Sequence, residues 1–368
     1  MSQLANAAGA INLSQGFPNF EGPASMIDAV YDALRSGENQ YARSQGHPVL
    51  TAAVAERVER RYGLRYCPET EVAAFHGATE AIAAFMLGML DPGDEVILFE
   101  PFYDSYPACC ALAQATPRFA TLRYPDFRVD RASLEATITD RTRLLVLNSP
   151  HNPTGRVFTT EELEIVASVC REHDLTVLSD EVYEEIWFDE ANHVSIATLP
   201  GMRERTITVS SCGKTFSFTG WKVGWATGPE PLIGAAQAAH QFLTFCGATP
   251  LQAAVGRSLR EIPESYYVNL RDAYRKRRDL LANGLTEAGF DVVVPEGTYF
   301  ILAHIRELTD ANDQEFAETL IRDHGVAAIP PSVFYRNAPE EGEALLRFAF
   351  CKDVATLESA VERLRSLR

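Results

Sequence analysis

The chain has 368 residues, of which 46% are hydrophobic and 23% charged, so it can bury a large core in two domains or in one large domain with an extension. Its net charge of −17 argues against a nucleic-acid partner, because no basic surface would offset phosphate repulsion. An anionic ligand must therefore be bound by local groups.

Cysteine usage and hydropathy indicate the compartment. The seven cysteines include no C-x-x-C pair, and the adjacent Cys109 and Cys110 suit buried thiols better than a disulfide framework or a metal site. Residues 1–10 lack the basic region and long apolar run of a signal peptide. The longest apolar stretch, 81–90, is about half of a membrane span. We expect a cytoplasmic protein with no metal site and no membrane partner.

Two loops near the amino terminus contain candidate binding residues. In the first, Gly16 precedes Phe17 and a proline, so a helix cannot continue and the glycine permits close approach of the backbone. The second contains Tyr41 and lies between helical patterns at 24–35 and 48–61. On the residues alone, each is equally consistent with an ordinary surface loop.

Two strand ends in the next part of the chain are candidate ligand contacts. A strand-like segment enters a helix at Gly77, Ala78 and Thr79, where free N–H groups and the helix dipole form an anion site. A plain N-cap explains the same pattern. Tyr103 would follow a buried strand at 94–100, at the edge where open α/β sheets bind ligands. Aromatic residues, however, more often belong to a core.

Two further buried strands end in polar residues. The first ends at Asn148 and leads into a proline-flanked loop around Asn152, whose neutral amide can both donate and accept hydrogen bonds. Such loops are also common as simple turns. The second strand ends at Asp180, a carboxylate that must there be paired or protonated, and Tyr183 follows three residues later. A helix cap or a salt bridge is the alternative role for Asp180.

A lysine at another strand end is the candidate nucleophile. β-branched and small polar residues alternate at 206–210, which predicts a strand that ends before Lys214. Small residues at 211–213 turn the chain, and Lys222 follows eight residues after Lys214. A desolvated lysine near a second cation has its ammonium form disfavoured and becomes an amine nucleophile suited to Schiff-base formation. A lone lysine, by contrast, is usually a solvated surface group.

The pattern changes after residue 262 to a long polar helix followed by short strands and helices, an α+β arrangement. We therefore predict a large domain at 28–262 and a smaller one made of 1–27 and 263–368. In the smaller domain Arg347 lies on an apolar strand, where its burial requires an anion and its fork geometry suits a carboxylate. An internal Asp or Glu partner is the alternative.

Five motifs together resemble one family. In chain order they are INLSQGFPNFEGP at 11–23, G-A-T at 77–79, H-N-P-T-G at 151–155, D-x-x-Y at 180–183, and S-x-x-K with G-W-K-V-G-W at 211–225. The set resembles the fold type I pyridoxal-phosphate-dependent aminotransferases, closest to the branch of kynurenine, glutamine and methionine aminotransferases. This resemblance spans essentially the whole chain. It implies an α/β fold with a mostly parallel mixed sheet sandwiched by helices, and a smaller α+β domain.

The resemblance implies a role for each candidate at pyridoxal 5′-phosphate. Lys214 would form the Schiff base, Asp180 would pair with the pyridinium nitrogen, and Tyr103 would stack on the ring. Tyr183 and Asn152 would hydrogen-bond the phenolate oxygen. The phosphate would be bound by the turn at Gly77, Ala78 and Thr79, by Ser211 and Lys222, and by Tyr41 from the second subunit of a homodimer with shared active sites.

Substrate contacts follow from the same resemblance. They are Gly16, Phe17, Asn152, Arg347 and, from the second subunit, Phe245. Arg347 would bind the α-carboxylate, and the freed Lys214 amine would move the proton between Cα and C4′. Cys246 stands where this branch often has histidine, so the pocket for the substrate side chain departs from the family pattern.

These implications predict transfer of the α-amino group from a neutral or aromatic L-amino acid, such as methionine, glutamine, kynurenine or phenylalanine, to a 2-oxo acid. Two alternatives use the same residues: a cysteine-S-conjugate β-lyase, and an aminotransferase acting on N-succinyl-diaminopimelate. A transcription regulator with this fold would need an added DNA-binding domain, for which the short segment before Gly16 leaves no room. No second arginine can be assigned to a side-chain carboxylate.

Overall fold

The computed structural model describes residues 1–367, and Arg368, which belongs to the predicted small domain, lies outside the described residues. The described part contains twelve strands. In chain order they are β1 (Ile11–Asn12), β2 (Val72–His76), β3 (Glu95–Glu100), β4 (Thr116–Thr121), β5 (Thr142–Asn148), β6 (Thr176–Asp180), β7 (Thr206–Ser211), β8 (Val223–Thr227), β9 (Asp291–Val293), β10 (Phe300–His304), β11 (Val326–Ala327) and β12 (Leu345–Ala349).

Helices cover both faces of the larger sheet, and several helices of the chain have clear start signals. Helix α7 begins with a capping box, in which the side chains of Thr159 and Glu162 each accept the other's backbone N–H. The helices are α1 (Ser2–Ala8), α2 (Ala24–Arg35), α3 (Pro48–Tyr62), α4 (Gly77–Met89), α5 (Ser105–Leu112), α6 (Arg131–Glu135), α7 (Thr160–Glu172), α8 (Cys212–Thr215), α9 (Glu230–Leu243), α10 (Thr249–Glu261), α11 (Glu264–Glu287), α12 (Asp313–His324) and α13 (Val354–Leu364).

The larger sheet has seven strands in the order β2-β8-β7-β6-β5-β3-β4. All of its strands are parallel except β8, which pairs antiparallel with both β2 and β7. Its central strands are apolar and buried on both faces, as expected for a parallel sheet covered by helices. The predicted α/β fold with a mostly parallel mixed sheet is therefore confirmed.

Parallel strands end at one common edge, which brings the polar strand ends together. Asn148 and Asp180 are direct partners in the pairing of β5 with β6, so both lie at this edge. His76 ends β2 and Ser211 ends β7 at the same edge. Lys222 reaches it as well, because the antiparallel β8 begins at the next residue. The sequence predicted strand ends at Asn148 and Asp180, and the strand order makes all five residues neighbours along this edge.

A smaller antiparallel sheet, in the order β12-β10-β9, packs beside the larger one together with α11 and α13. Leu302 on β10 pairs with Arg347 on β12, and Ile329 forms an isolated bridge to Arg347 from the other side. Strand β11 pairs in parallel with β1, so the amino-terminal segment is joined to this part of the fold. The domain limits at 28 and 262 stay a prediction. The first falls inside α2, and the second lies between α10 and α11.

Three further features bear on function. Among residues 1–367, no helix is both long enough and apolar enough to cross a membrane. No cluster of three or more His, Cys, Asp or Glu side chains in that range is arranged to hold a metal ion. Cys109 and Cys110 are buried free thiols, as the sequence predicted.

Candidate active site

A cavity of about 510 Å³ opens at the polar edge of the larger sheet, and residues of β10 and β12 form its opposite wall. Most of the site residues predicted from the sequence line it. They are Gly16, Gly77, Ala78, Thr79, Tyr103, Asn152, Asp180, Tyr183, Ser211, Lys214, Lys222 and Arg347. Residues from six strand ends of the larger sheet, from the amino-terminal loop and from β12 thus converge on one site, which is the position where open α/β sheets bind ligands.

Lys214 lies in α8, a single helical turn that directly follows β7. The sequence predicted a plain turn at 211–213, but these small residues let the chain wind into a helix instead. Nζ of Lys214 donates a hydrogen bond to the hydroxyl of Tyr299 at 2.9 Å. Burial lowers the pKa of Lys214, and the nearby cations Lys222 and Arg347 lower it further. The amine is therefore easier to deprotonate than an ordinary lysine.

Asp180 is a buried carboxyl group without a cationic partner. The hydroxyl of Tyr106 donates to Oδ2 at 2.7 Å, and the N–H of Val182 donates to Oδ1 at 3.3 Å. No Lys, Arg or His in residues 1–367 forms an ion pair with it. Burial raises the pKa of Asp180 to about 6. Tyr106 was missed by the sequence analysis, because a tyrosine within helix α5 gives no local sign of a distant carboxylate.

Tyr103 and Tyr183 flank the cavity from two different loops. Tyr103 follows β3, and its ring lies edge-on to that of Tyr106 with centroids 5.5 Å apart. Tyr183 follows β6 and lies edge-on to Tyr299 at 5.1 Å. Burial raises the pKa of both Tyr103 and Tyr183, so each keeps its hydroxyl proton at neutral pH and can donate it to a ligand.

The turn from β2 into α4 meets the lysine that precedes β8. Gly77 has a φ of 75°, which glycine adopts without strain, and a Cβ there would lie 3.1 Å from Nζ of Lys222. Gly224 on β8 lies so close to the turn that a Cβ would be 2.6 Å from the backbone N of Ala78. The first backbone N–H groups of α4 and the ammonium group of Lys222 therefore lie close together, and this arrangement favours the binding of an anion. Gly224 was not predicted as a site residue.

Arg347 is a buried cation without an anionic partner. Its Nη1 donates to Oδ1 of Asn152 at 3.0 Å, and its Nη2 donates to the carbonyl of Ser14 at 3.4 Å. Its Nε has no hydrogen-bond partner, and no Asp or Glu in the described part of the chain forms an ion pair with it. The guanidinium lies over the ring of Phe300, 4.1 Å from its centroid. The alternative of an internal acidic partner is thereby excluded within residues 1–367.

Comparison with known proteins identifies the family. The model of the family "Aminotransferase class I and II" matches residues 8–364. The chain belongs to this family. It is 46% identical to a probable N-succinyldiaminopimelate aminotransferase of Mycobacterium tuberculosis over 379 aligned residues, which cover 100% of this chain and 94% of that protein. A solved structure of N-succinyldiaminopimelate aminotransferase from that organism matches with a TM-score of 0.97, at 46% identity, over 100% of this chain and 96% of the other.

Other relatives of this aminotransferase bear different substrate names. It is 42% identical to the methionine aminotransferase of Escherichia coli, over 100% of this chain and 94% of that protein. It is 37% identical to human kynurenine–oxoglutarate transaminase 1, over 99% of this chain and 93% of that protein. The resemblance to the kynurenine and methionine aminotransferase branch is thus confirmed, and so is the enzyme class.

The cavity of this aminotransferase offers few cations. Within residues 1–367, the cationic side chains that line it are Lys214, Lys222 and Arg347. Asp104 contributes a carboxylate near the mouth. The rings of Phe300 and Phe334 lie against the guanidinium of Arg347, Ile329 pairs with Arg347, and Phe218 and Val333 also line the cavity.

Phe17, Tyr41 and Phe245 do not line the cavity of their own chain. The ring of Phe17 lies under Nζ of Lys352, 4.2 Å from the centroid, and its side chain is 45% exposed. Tyr41 is 83% exposed and Phe245 is 39% exposed, and their rings pack edge-on with centroids 5.4 Å apart. These two residues form an aromatic pair on the surface, outside the site that the other candidates share.

Proposed function

We propose that this aminotransferase uses pyridoxal 5′-phosphate and that Lys214 is its catalytic amine. The observation that carries the proposal is the pair of unmatched charges beside Lys214, a buried carboxyl at Asp180 with no cation and a buried guanidinium at Arg347 with no anion. Burying an unpaired charge is costly, so a fold that keeps both favours a bound cationic group at Asp180, which the cofactor ring would supply, and a bound anionic group at Arg347, which the substrate would supply.

The residues present fit this cofactor. Pyridoxal 5′-phosphate supplies an aldehyde that can bond an amine and a protonated pyridine ring that accepts the electrons released when a substrate Cα–H bond breaks. Asp180 would hold the ring nitrogen in its protonated form. The turn at Gly77 together with Lys222 would bind the phosphate. Tyr183 and Asn152 would donate to the phenolate oxygen, and Tyr103 would lie against the ring.

Arg347 and Lys214 would then act on the substrate. The guanidinium fork, with Asn152 beside it and the backbone of Gly16 opposite, would fix the α-carboxylate of the amino acid. That contact would hold the amino acid in the cavity that the amine of Lys214 also lines. With its lowered pKa, this amine can take a proton from the substrate carbon and return it to another carbon, as general base and then general acid.

We further propose an N-succinyl-diaminopimelate type of donor. The support is the 46% identity to a probable N-succinyldiaminopimelate aminotransferase over the whole of this chain. This alternative is better supported than our expectation of a neutral or aromatic donor, which rests on relatives with lower identity. The apolar wall beside Arg347 also suits the methylene chain of such a substrate.

A homodimer with shared sites is part of the proposal, because the aromatic pair Tyr41 and Phe245 is exposed and lies outside its own cavity. Mixing two inactive variants, Lys214→Ala and Tyr41→Ala, tests it. Exchange of subunits would pair an intact Lys214 from one chain with an intact Tyr41 from the other, and activity should return. Two variants that stay inactive after mixing, although they exchange subunits, would argue against shared sites.

The function is tested by reconstitution and a donor panel. Protein supplied with pyridoxal 5′-phosphate should develop a visible absorption band that a matched amino donor converts, and Lys214→Ala should keep its fold but lose the band. N-succinyl-diaminopimelate, methionine, glutamine, kynurenine and phenylalanine would be compared by kcat/KM with 2-oxoglutarate as acceptor. The highest value for methionine or an aromatic donor would overturn the substrate proposal. Absence of the band in the wild type would overturn the cofactor proposal.

A further inference from the structure

Tyr299 lies behind Lys214 and links it to the amino-terminal loop. Its hydroxyl accepts a hydrogen bond from Nζ of Lys214 at 2.9 Å and donates one to the carbonyl oxygen of Gly16 at 2.5 Å. The side chain is fully buried, and its ring packs against those of Tyr183 and Tyr274 at 5.1 and 6.0 Å. Nζ of Lys214 makes no other hydrogen bond to the part of the chain that the structure describes.

The direction of these bonds limits what the hydroxyl can hold. A tyrosine hydroxyl has one proton, and here that proton is directed at Gly16, so toward Lys214 the oxygen can only accept. A neutral lysine amine carries two hydrogens and its ammonium form carries three. A lysine nitrogen that is joined to carbon by a double bond carries one hydrogen when it is protonated and none when it is not. The contact therefore requires a nitrogen with a hydrogen to donate, which the free amine and its ammonium form both have and an unprotonated imine nitrogen lacks.

We propose that Tyr299 is a positioning residue that holds the free amine of Lys214 and, through Gly16, makes its position depend on the amino-terminal loop. The inference rests on the proposed function, in which the amine must be free while it moves protons. Lysine has a flexible four-carbon side chain, so an amine without a fixed acceptor would sample several positions. Holding it at one point beside the cavity favours proton transfer, because such transfer requires the base to be within hydrogen-bond reach.

Gly16 completes the arrangement. A Cβ at this position would overlap the rings of Phe300 and Tyr299, so the loop backbone lies directly on them. The carbonyl oxygen can reach Tyr299 only while the loop is in this place. Movement of the loop away from the cavity would thus remove the acceptor of the Tyr299 proton and release the constraint on the amine of Lys214.

The experiment measures the amine in protein without cofactor. Competitive acetylation of Lys214 by acetic anhydride, followed by mass spectrometry of its peptide over a range of pH, reports both the reactivity and the pKa of this amine. The variant is Tyr299→Phe, which keeps the ring and removes the hydroxyl. The matched control is Tyr274→Phe, because Tyr274 is equally buried, neighbours Tyr299, and makes no hydrogen bond to Lys214 within residues 1–367.

The other charged and titratable groups near the amine of Lys214 are the same in the wild type, in Tyr299→Phe and in Tyr274→Phe. The charged and titratable groups that face it from the neighbouring elements are Asp180, Tyr183, Lys222, Arg347 and Cys351. Because none of them is changed, a difference between Tyr299→Phe and the control reports on the hydroxyl. Loss of the acceptor disfavours the ammonium form, so the pKa of Lys214 should fall and its acetylation at pH 7 should be faster by about 2- to 10-fold.

Two further readouts separate positioning from simple packing. Hydrogen exchange of the peptide containing residues 13–17 should be faster in Tyr299→Phe than in Tyr274→Phe, because Gly16 loses a hydrogen-bond donor. In reconstituted enzyme, kcat should fall while KM for the amino donor changes little. Equal acetylation of Lys214 in wild type and Tyr299→Phe would overturn the inference. A wild type that acquires no absorption band with pyridoxal 5′-phosphate would instead overturn the proposed function, whatever the acetylation rates.

Discussion

Arg347 donates from Nη1 to Oδ1 of Asn152 at 3.0 Å, and this neutral amide is its closest side-chain partner in place of a carboxylate. The two residues are 195 positions apart. Asn152 lies in the loop after β5 of the larger sheet and Arg347 on β12 of the smaller one, so the contact forms only when the two sheets pack together. Burial lowers the pKa of Arg347 to about 10, which leaves it charged at neutral pH. Its unused donors are therefore available to a substrate carboxylate.

Arg347→Lys should reduce kcat/KM for every amino donor by about 10- to 100-fold, because a lysine replaces the two-pronged donor by a single charge. Burial also lowers the pKa of a lysine at this position, so the variant should lose the positive charge as the pH rises. Its kcat/KM should therefore begin to decline at a lower pH than that of the wild type. The measurement is a pH profile of kcat/KM. Arg322→Lys on the exposed face of α12 is the control. Unchanged kcat/KM in Arg347→Lys would exclude the proposed carboxylate contact.

Asp180→Asn should stabilise the cofactor-free protein at alkaline pH. Burial raises the pKa of Asp180 from 3.8 to about 6, so the folded chain binds this proton more tightly than the unfolded chain. Wild-type stability is therefore lost as the pH rises from about 4 to about 6, where the carboxylate ionises without a cation. Relative to wild type, the variant should gain about 1–3 kcal/mol in unfolding free energy at pH 8 and nothing below pH 4.

Urea unfolding of the cofactor-free proteins at pH 4 and pH 8 checks this prediction, with the exposed Asp126→Asn as control. The same variant should bind pyridoxal 5′-phosphate more weakly than wild type, because Asn cannot neutralise a pyridinium nitrogen. Stability and cofactor affinity would thus change in opposite directions. A variant that is less stable than wild type at pH 8 would contradict the assignment of Asp180 as an unpaired buried charge.

The sequence was sufficient to place the polar residues at strand ends, and for a physical reason. Asn148 and Asp180 each interrupt an apolar strand, and a parallel sheet carries all such ends to one edge. Nothing local could reveal Tyr106 or Tyr299, because each acts on a residue 74 or 85 positions away and each resembles an ordinary core aromatic in its own segment. Contacts across the cavity depend on how the two sheets meet, which periodicity does not encode.

Glu80 links the turn before α4 to the end of α9. Its Oε2 accepts the N–H of His76 at 2.6 Å, while Oε1 contacts Nδ1 of His240 at 2.6 Å and accepts from the hydroxyl of Thr244 at 2.8 Å. Phe245, the residue after Thr244, is half of the exposed aromatic pair. Burial opposes ionisation of Glu80, but the hydrogen bonds from His240, His76 and Thr244 outweigh it and lower its pKa.

Glu80→Gln should weaken both ends of this link. We expect a loss of about 1–2 kcal/mol in unfolding free energy at pH 7, and weaker binding of pyridoxal 5′-phosphate by about 2- to 10-fold. The pKa of Glu80 is lower in the folded chain than in the unfolded chain, so ionised Glu80 stabilises the fold above pH 4.5. This stabilisation is lost as the pH falls through the lowered pKa. The unfolding free energies of wild type and variant should therefore become equal in acid. Urea unfolding at several pH values and a cofactor titration measure both effects. A difference that persists unchanged in acid would contradict the role of the ionised carboxylate.

Arg43 should affect only donors with distal carboxylates. It lies two residues after Tyr41 in an exposed loop, and its side chain forms no ion pair within residues 1–367. N-succinyl-diaminopimelate carries carboxylates beyond the one that Arg347 would bind, and the cavity wall offers no spare cation. If Tyr41 enters the site of a second subunit, Arg43 is carried toward the mouth of that site.

We therefore expect Arg43→Ala to lower kcat/KM for N-succinyl-diaminopimelate by about 3- to 10-fold while leaving kcat/KM for methionine unchanged, since an exposed ion pair contributes roughly 1 kcal/mol. The effect should diminish as salt is raised, because exposed charges are screened. Arg35→Ala is the matched control, as Arg35 is also exposed and unpaired within the described residues. An equal loss of kcat/KM for both donors would show that Arg43 supports the fold or the subunit interface. Unchanged kcat/KM for both donors would show that the distal carboxylates bind away from Arg43.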